Sequence, residues 1–255
     1  MLNQLKKYCF LSLLLSLFFS YTFAQTFDSL YQRGIQLEQS FNEKQALIKF
    51  QEAQKINPNH LQTLCKCSDL CSRIGAREKN EKIKLDYFNS ALSFAKKAYG
   101  LYPSNDEVNV EMSIAMGRIA LTKSGEEKIS MVKEIKSFAD KAIQLNPNNF
   151  KAWHILGRWY YEISDLNFIE KAAIKIFYGG LPQSSFSMSI NAYEKAKSIN
   201  NKFCLNYLEL AKAYEKNDNI NQAITNLKQL LQMPNSIEDD VAIKKEASFL
   251  LKKWQ

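Results

Sequence analysis

Residues 151–161 read Lys-Ala-Trp-His-Ile-Leu-Gly-Arg-Trp-Tyr-Tyr, and the fold is decided here. On a helix, Trp153, Leu156, Gly157 and Tyr160 share one face at i, i+3, i+4 and i+7. Glycine inside an otherwise strongly helical run costs about 1 kcal/mol against alanine. Its place on the apolar face predicts that a second helix comes close to the backbone there. That partner is expected around Ser189, Tyr193 and Ala196, which fall at i, i+4 and i+7.

Similar pairs recur on both sides. Helices over about Phe27–Ser40 and Glu43–Ile56 set Leu30, Gly34 and Leu37 against Ala46, Phe50 and Ala53. Asn57-Pro58 then ends the unit, because the residue before proline is pushed out of the α region. The offsets among Gly34, Ala46, Phe50, Ala53 and Pro58 match a tetratricopeptide repeat of about 34 residues. A second unit turns Leu64, Cys67 and Cys71 toward Ala91, Ala95 and Ala98 and stops at Tyr102-Pro103. Its extra residues, Ile74 to Lys84, read as an extension of both helices. The third unit, Asp106 to Leu145, fits the pattern least well; Ile114, Gly117 and Leu121 are its expected contacts. The fourth holds the quoted stretch. The fifth pairs Tyr207, Leu210, Ala211 and Tyr214 with Ala223, Leu227 and Leu230. A last helix, about Glu238–Trp254, sets Val241, Ala247, Leu250, Leu251 and Trp254 against a lysine-rich side, as a solenoid end requires. The expected fold is all-α: a right-handed tetratricopeptide-like α-solenoid of about five helix pairs with a C-terminal capping helix, one domain over 25–255.

The fourth unit is interrupted by an insertion at about 164–187. Within it, Asn167–Tyr178 is amphipathic, with Phe168, Ile169, Ala172, Ile176 and Phe177 apolar, and Gly179-Gly180-Leu181-Pro182 ends it. This stripe is expected to lie over the groove of the stack or to widen one edge, with Trp159 packed beneath the insertion.

Residues 1–24 read as a signal peptide: Lys6 and Lys7, an apolar run from Cys9 to Phe19, then Thr22-Phe23-Ala24 with small residues at the cleavage positions. Cleavage after Ala24 predicts a periplasmic or secreted protein beginning at Gln25. The competing reading is a retained anchor, but the apolar run is shorter than the roughly 20 residues that span a bilayer. Membrane contact is expected only through this segment. The net charge of +8 is +6 without Lys6 and Lys7, and bases alternate with acids, which argues against a nucleic-acid face. Cys65, Cys67, Cys71 and Cys204 lack zinc-knuckle spacing and read as buried thiols, with a disulfide the alternative.

Leu156-Gly157-Arg158-Trp159, Leu166-Asn167-Phe168-Ile169-Glu170-Lys171 and Phe177-Tyr178-Gly179-Gly180-Leu181-Pro182 go beyond a generic repeat. With Ala192-Tyr193-Glu194-Lys195-Ala196 and Asn206 to Lys212, they resemble the regulator of microtubule dynamics family over roughly Ala91–Tyr214. The resemblance implies an all-helical tetratricopeptide-like protein without known catalytic residues, here a bacterial exported member. Animal members are described as microtubule- or organelle-contact-associated; an exported chain would not meet tubulin.

The stripe beside the packed face supplies the candidate partner-binding residues: Tyr31 and Ile35, with His154, Arg158, Tyr161, Leu208, Lys212 and Glu215. Aromatic and basic groups in one groove suit an extended or helical peptide of acidic character. Arg158 has a structural alternative, pairing with Glu162 or Glu170. There is no glycine-rich phosphate loop, no metal spacing and no nucleophile motif beside His154, so no enzyme, cofactor or metal is expected. The leading reading is an exported adaptor. A structural subunit of an envelope complex and a membrane-anchored relative of the animal proteins are the alternatives.

Overall fold

The computed structural model describes residues 26–255, and every regular element in them is helical. The signal-peptide reading of 1–24 lies outside the described residues. Helix α1 covers 26–39. It is followed by α2 (Glu43–Ile56), α3 (Leu61–Arg77), α4 (Glu81–Leu101), α5 (Asp106–Ala120) and α6 (Gly125–Leu145). Then come α7 (Phe150–Asp165), α8 (Phe168–Tyr178), α9 (Phe186–Ile199), α10 (Cys204–Lys216), α11 (Ile220–Gln232) and α12 (Asp240–Trp254). The sequence marks these boundaries. Asn105, Asn149 and Ser185 each accept the backbone N–H three residues on, which satisfies a donor the helix start leaves open. Pro58, Pro103 and Pro147 stand just beyond the ends of α2, α4 and α6.

The pairing follows the glycines. A Cβ on Gly157 of α7 would sit 2.7–2.9 Å from the Tyr193 ring of α9, so only glycine lets this pair close. Ser189 of α9 donates from Oγ to the Gly157 carbonyl at 2.7 Å across the same contact. Gly34 stands to Phe50 as Gly157 stands to Tyr193. In the long second unit Gly75 meets Tyr87 and Phe88, so the extra residues extend both helices while they remain packed. The stack pairs α3 with α4, α5 with α6, α7 with α9 and α10 with α11, and α12 covers α11 and α10. The first helices also pack on one another from unit to unit, α3 on α5, α5 on α7, α7 on α10 and α10 on α12. Crowding along that row bends the stack and makes it the concave face.

Three expectations need correction. In α5 the packed residues include Val108, Val110, Met112, Ala115, Met116 and Ile119; Ile114 packs beside Val110 as expected, but Leu121 is exposed and Gly117 faces open space. The helix is clasped by α3, α4, α6 and α7 together, so no one-sided stripe marks its contact face. In α12, Ile243 and Ala247 are inside while Val241 and Phe249 point out. Trp159 is buried against α6, not beneath the insertion: its Nε1 donates to the Val132 carbonyl at 2.8 Å and the Lys136 ammonium lies over its ring. The insertion helix α8 packs only lightly on the outer side of α6, away from the groove.

The curl brings the two ends of the stack together. The Glu43 backbone N–H donates to Glu238 Oε1 at 2.6 Å, 195 residues away. Arg77 reaches Glu43 at 2.6 Å, Asp239 at 2.7 Å and Glu238 at 3.1 Å, and Arg73 also pairs with Glu43. The Glu43 side chain is almost fully buried in this clasp.

Candidate partner-binding groove

The first helices present a row of charges to the concave side, most of them paired. Glu38 of α1 binds Lys66 (2.7 Å) and Arg73 (2.8 Å) of α3. Glu107 of α5 binds Lys151 of α7 at 3.0 Å. Lys212 of α10 bridges Glu209 (3.2 Å) and Glu246 of α12 (2.8 Å), and Lys216 binds Asp165 at 2.6 Å. Each rung ties one unit to the next or braces its own helix.

Two groups stand apart. Arg118 of α5 forms no ion pair among the described residues, and its Nε is buried without a hydrogen-bond partner. Burial and the like charge of Arg158 push its pKa down, yet a guanidinium remains charged at neutral pH. Arg158 has only Glu162, one turn on at 3.3 Å, and its side chain stays 47% exposed. The structural alternative for Arg158 is therefore met, by Glu162 and not Glu170. Glu111 is fully buried with both carboxylate oxygens unpaired; burial, then the Asp69 charge, pushes it up to about 8. For Asp69, burial acts in the opposite sense, but Arg73, Lys151 and Lys66 hold its carboxyl below the usual range.

The expected groove residues fall into two groups. His154, Arg158 and Tyr161 of α7 gather around Glu209 of α10, which Lys212 also binds, and Tyr161 feels the Glu215 charge, while Tyr31 and Ile35 lie at the other end on α1. His154 is buried and faces inward: its Nδ1 meets Asn206 Oδ1 at 3.0 Å, and Asn206 Nδ2 donates to the Tyr193 carbonyl at 2.9 Å. Because that amide's NH₂ is already donating, Nδ1 carries the histidine proton. Burial drives the His154 pKa down to about 4, so it is a neutral tie between α7 and α10. Leu208 is fully buried in the cluster with Tyr207, Ala211, Ala223 and Leu227, and is not open to a partner. The row next to the packed face was one position too near the core at these two residues. Tyr31 is half-buried, its ring against Phe50 and His60, and Ile35 packs on the same core. Tyr161 is half-buried with its ring edge on Phe186; burial, then Asp165, raises its hydroxyl to about 12. Sequence reasoning missed Arg118, Glu111 and Asp69. Their signal was charges recurring at helical spacing on α3 and α5, hidden by the irregular third unit.

The four cysteines from Cys65 onward are free thiols and buried, with burial raising Cys71 to about 12 and Cys204 to about 11. Among the described residues no cluster of three or more His, Cys, Asp or Glu side chains is placed to hold a metal ion.

Helical hairpins closed on a glycine, stacked with their first helices inward, define a tetratricopeptide-like α-solenoid. The tetratricopeptide protein TTC0263 of Thermus thermophilus shares this fold, with a TM-score of 0.66 at 15% identity over 89% of this chain and 99% of that one. Pseudomonas aeruginosa pilF aligns at 0.53 and 14% identity, over 91% of this chain and 88% of that one. Residues 24–255 match the model for regulator of microtubule dynamics protein 1-3, and the chain belongs to that family. Mouse Regulator of microtubule dynamics protein 1 is 27% identical over 88% of this chain and 71% of its own length. The Bos taurus protein of the same name is 26% identical over 88% and 69%.

Proposed function

We propose that the chain is a non-enzymatic adaptor whose concave face takes an acidic protein segment, extended or helical. The fold suggests a protein-interaction scaffold, since a solenoid's curved inner face is its extended binding surface. The observation that carries the reading is Arg118 facing Arg158. In a row where nearly every charge is matched, Arg118 has no carboxylate partner among the described residues and Arg158 has only the exposed Glu162, and a partner's carboxylates would complete them.

The test is titration of the full chain with a fluorescent peptide carrying Glu and Leu at helical spacing. Binding that weakens with salt and is lost in Arg118→Glu/Arg158→Glu, at unchanged melting temperature, supports the reading. Binding that ignores both substitutions counts against it. We further propose that the adaptor works after export: N-terminal sequencing of the natural protein is expected to begin at Gln25. Residues 1–24 retained on the natural protein would point instead to a membrane-anchored protein that acts on microtubule dynamics, as the name of its relatives says of them.

A further inference from the structure

We propose that the outward face of α8 lies on the surface of an anionic lipid bilayer. Phe168, Ile169, Ile176 and Phe177 are 84%, 77%, 74% and 73% exposed, and no residue of this helix is buried. Successive helical residues step round the axis by about 100°. These four side chains, with Ala172, therefore fill one half of the helix, and Ile174 and Tyr178 turn the other way toward α6. The usual amphipathic arrangement is inverted: the apolar half points into solvent.

Polar tethers, not apolar burial, hold the helix in this pose. Asn167 and Glu170 form a reciprocal capping box, and Gly179 closes the far end in the left-handed conformation at φ +73. Lys171 donates to the Ser164 carbonyl at 2.8 Å, and Lys133 of α6 to the Tyr178 carbonyl at 3.0 Å. An isolated helix of this length is marginal in water. Here it is formed and fastened with its apolar side outward.

Charge identifies the occupant. Lys171 and Lys175 flank the apolar half on one side. Past the end of the helix, a cleft between α6 and Pro182 is lined by Lys133, Lys136 and Lys141, with Asp140 as its acid. Lys136 is paired with Asp140 at 2.7 Å, but Lys141 and Lys175 form no ion pair among the described residues, and Lys133 and Lys171 bond carbonyls. Glu170 is engaged in its cap. Ammonium groups beside exposed Phe and Ile suit an interface where the rings reach the acyl boundary and lysines stay at anionic head groups. A second copy is a poorer fit. A stable dimer buries about 800 Å² per partner, more than one helix about 16 Å long provides. The sequence alone placed membrane contact only in residues 1–24, and this site is separate from it and from the groove.

Amide hydrogen exchange on the full chain tests this, because it reads α8 apart from any insertion of the N-terminal segment. With vesicles of equal phosphatidylglycerol and phosphatidylcholine, exchange over 168–178 is expected to slow about tenfold or more; with phosphatidylcholine alone it is expected to stay unchanged. Phe168→Glu/Ile176→Glu should abolish the slowing and Lys141→Glu/Lys175→Glu should reduce it, with far-ultraviolet circular dichroism unchanged because all four sites are exposed. The proposal is overturned if anionic vesicles leave α8 unchanged. It is equally overturned if neutral vesicles protect α8 as well, or if protection rises with protein concentration without lipid, which would make the occupant a second copy.

Discussion

Gly157 and Gly117 lie in first helices of neighbouring units and make opposite predictions. Adding a methyl at Gly157 forces the Tyr193 ring away by several tenths of an ångström in a contact that is fully buried on the tyrosine side. Overpacking of this kind costs about 1–3 kcal/mol, more than the helix propensity gained. Gly157→Ala should therefore lower stability in urea unfolding by about 1–2 kcal/mol, while Gly117→Ala, with nothing nearby, should raise it by about 0.5–1 kcal/mol. Glu111 gives a test with a sign in pH. Its folded carboxyl, raised from 4.5 to about 8, holds a proton that the unfolded chain releases, so its stabilising contribution is complete below pH 4.5 and fades as pH rises through 8. Glu111→Gln should remove that fall, so the variant gains on the natural protein in melting temperature between pH 5 and 9. His154 is shifted the other way, from 6.5 to about 4: its contribution is present above pH 6.5 and fades as pH drops toward 4. The Gly157 contact was legible from its sequence neighbours. Glu111 was not, because its state depends on charges contributed by α3 and α7.

Helices differ in how much of their surroundings they encode. α7 touches α5, α6 and α10 as well, but it packs most heavily on α9, so the apolar stripe with a glycine in it named that partner correctly. α5 is enclosed by four helices, and a stripe that runs all round the cylinder carries no direction. α8 has a clear stripe that names no partner, and its apolar residues lie over no groove but point into solvent. The same looseness makes α8 separable from the fold. Asn167→Ala removes the capping-box acceptor for the Glu170 N–H, a loss of about 1 kcal/mol confined to that helix. Hydrogen exchange in 168–178 should speed up several-fold while the global melting temperature stays within a degree, because α8 contributes no buried residue to the core.

The closure of the stack belongs to the whole molecule, and nothing periodic in the sequence announces it. Local spacing fixes how one helix sits on the next, whereas the radius of the curl is the sum of many small rotations. Glu43 and Glu238 can meet only after all of them have accumulated. The clasp is also chemically uneven. Arg77, Glu238 and Asp239 are each roughly a quarter to a third exposed, so their mutual attraction is screened and weak. Glu43 is 1% exposed, and its carboxylate is tolerated there only between Arg73 and Arg77; burial pushes its pKa up and the two guanidinium groups pull it back. Arg77→Ala removes one of the two cations facing a buried carboxylate and, with it, the links to both acids of the other end. Breaking such a pair costs about 3 kcal/mol. Two readouts separate the consequences. Unfolding should show a stability loss of that order, and small-angle scattering should show a larger radius of gyration as the ends part. The natural protein should move toward the same radius in 1 M salt, where the screening length falls to about 3 Å. A variant that loses stability but keeps the natural radius would mean that core packing alone sets the curl and that the clasp merely decorates it.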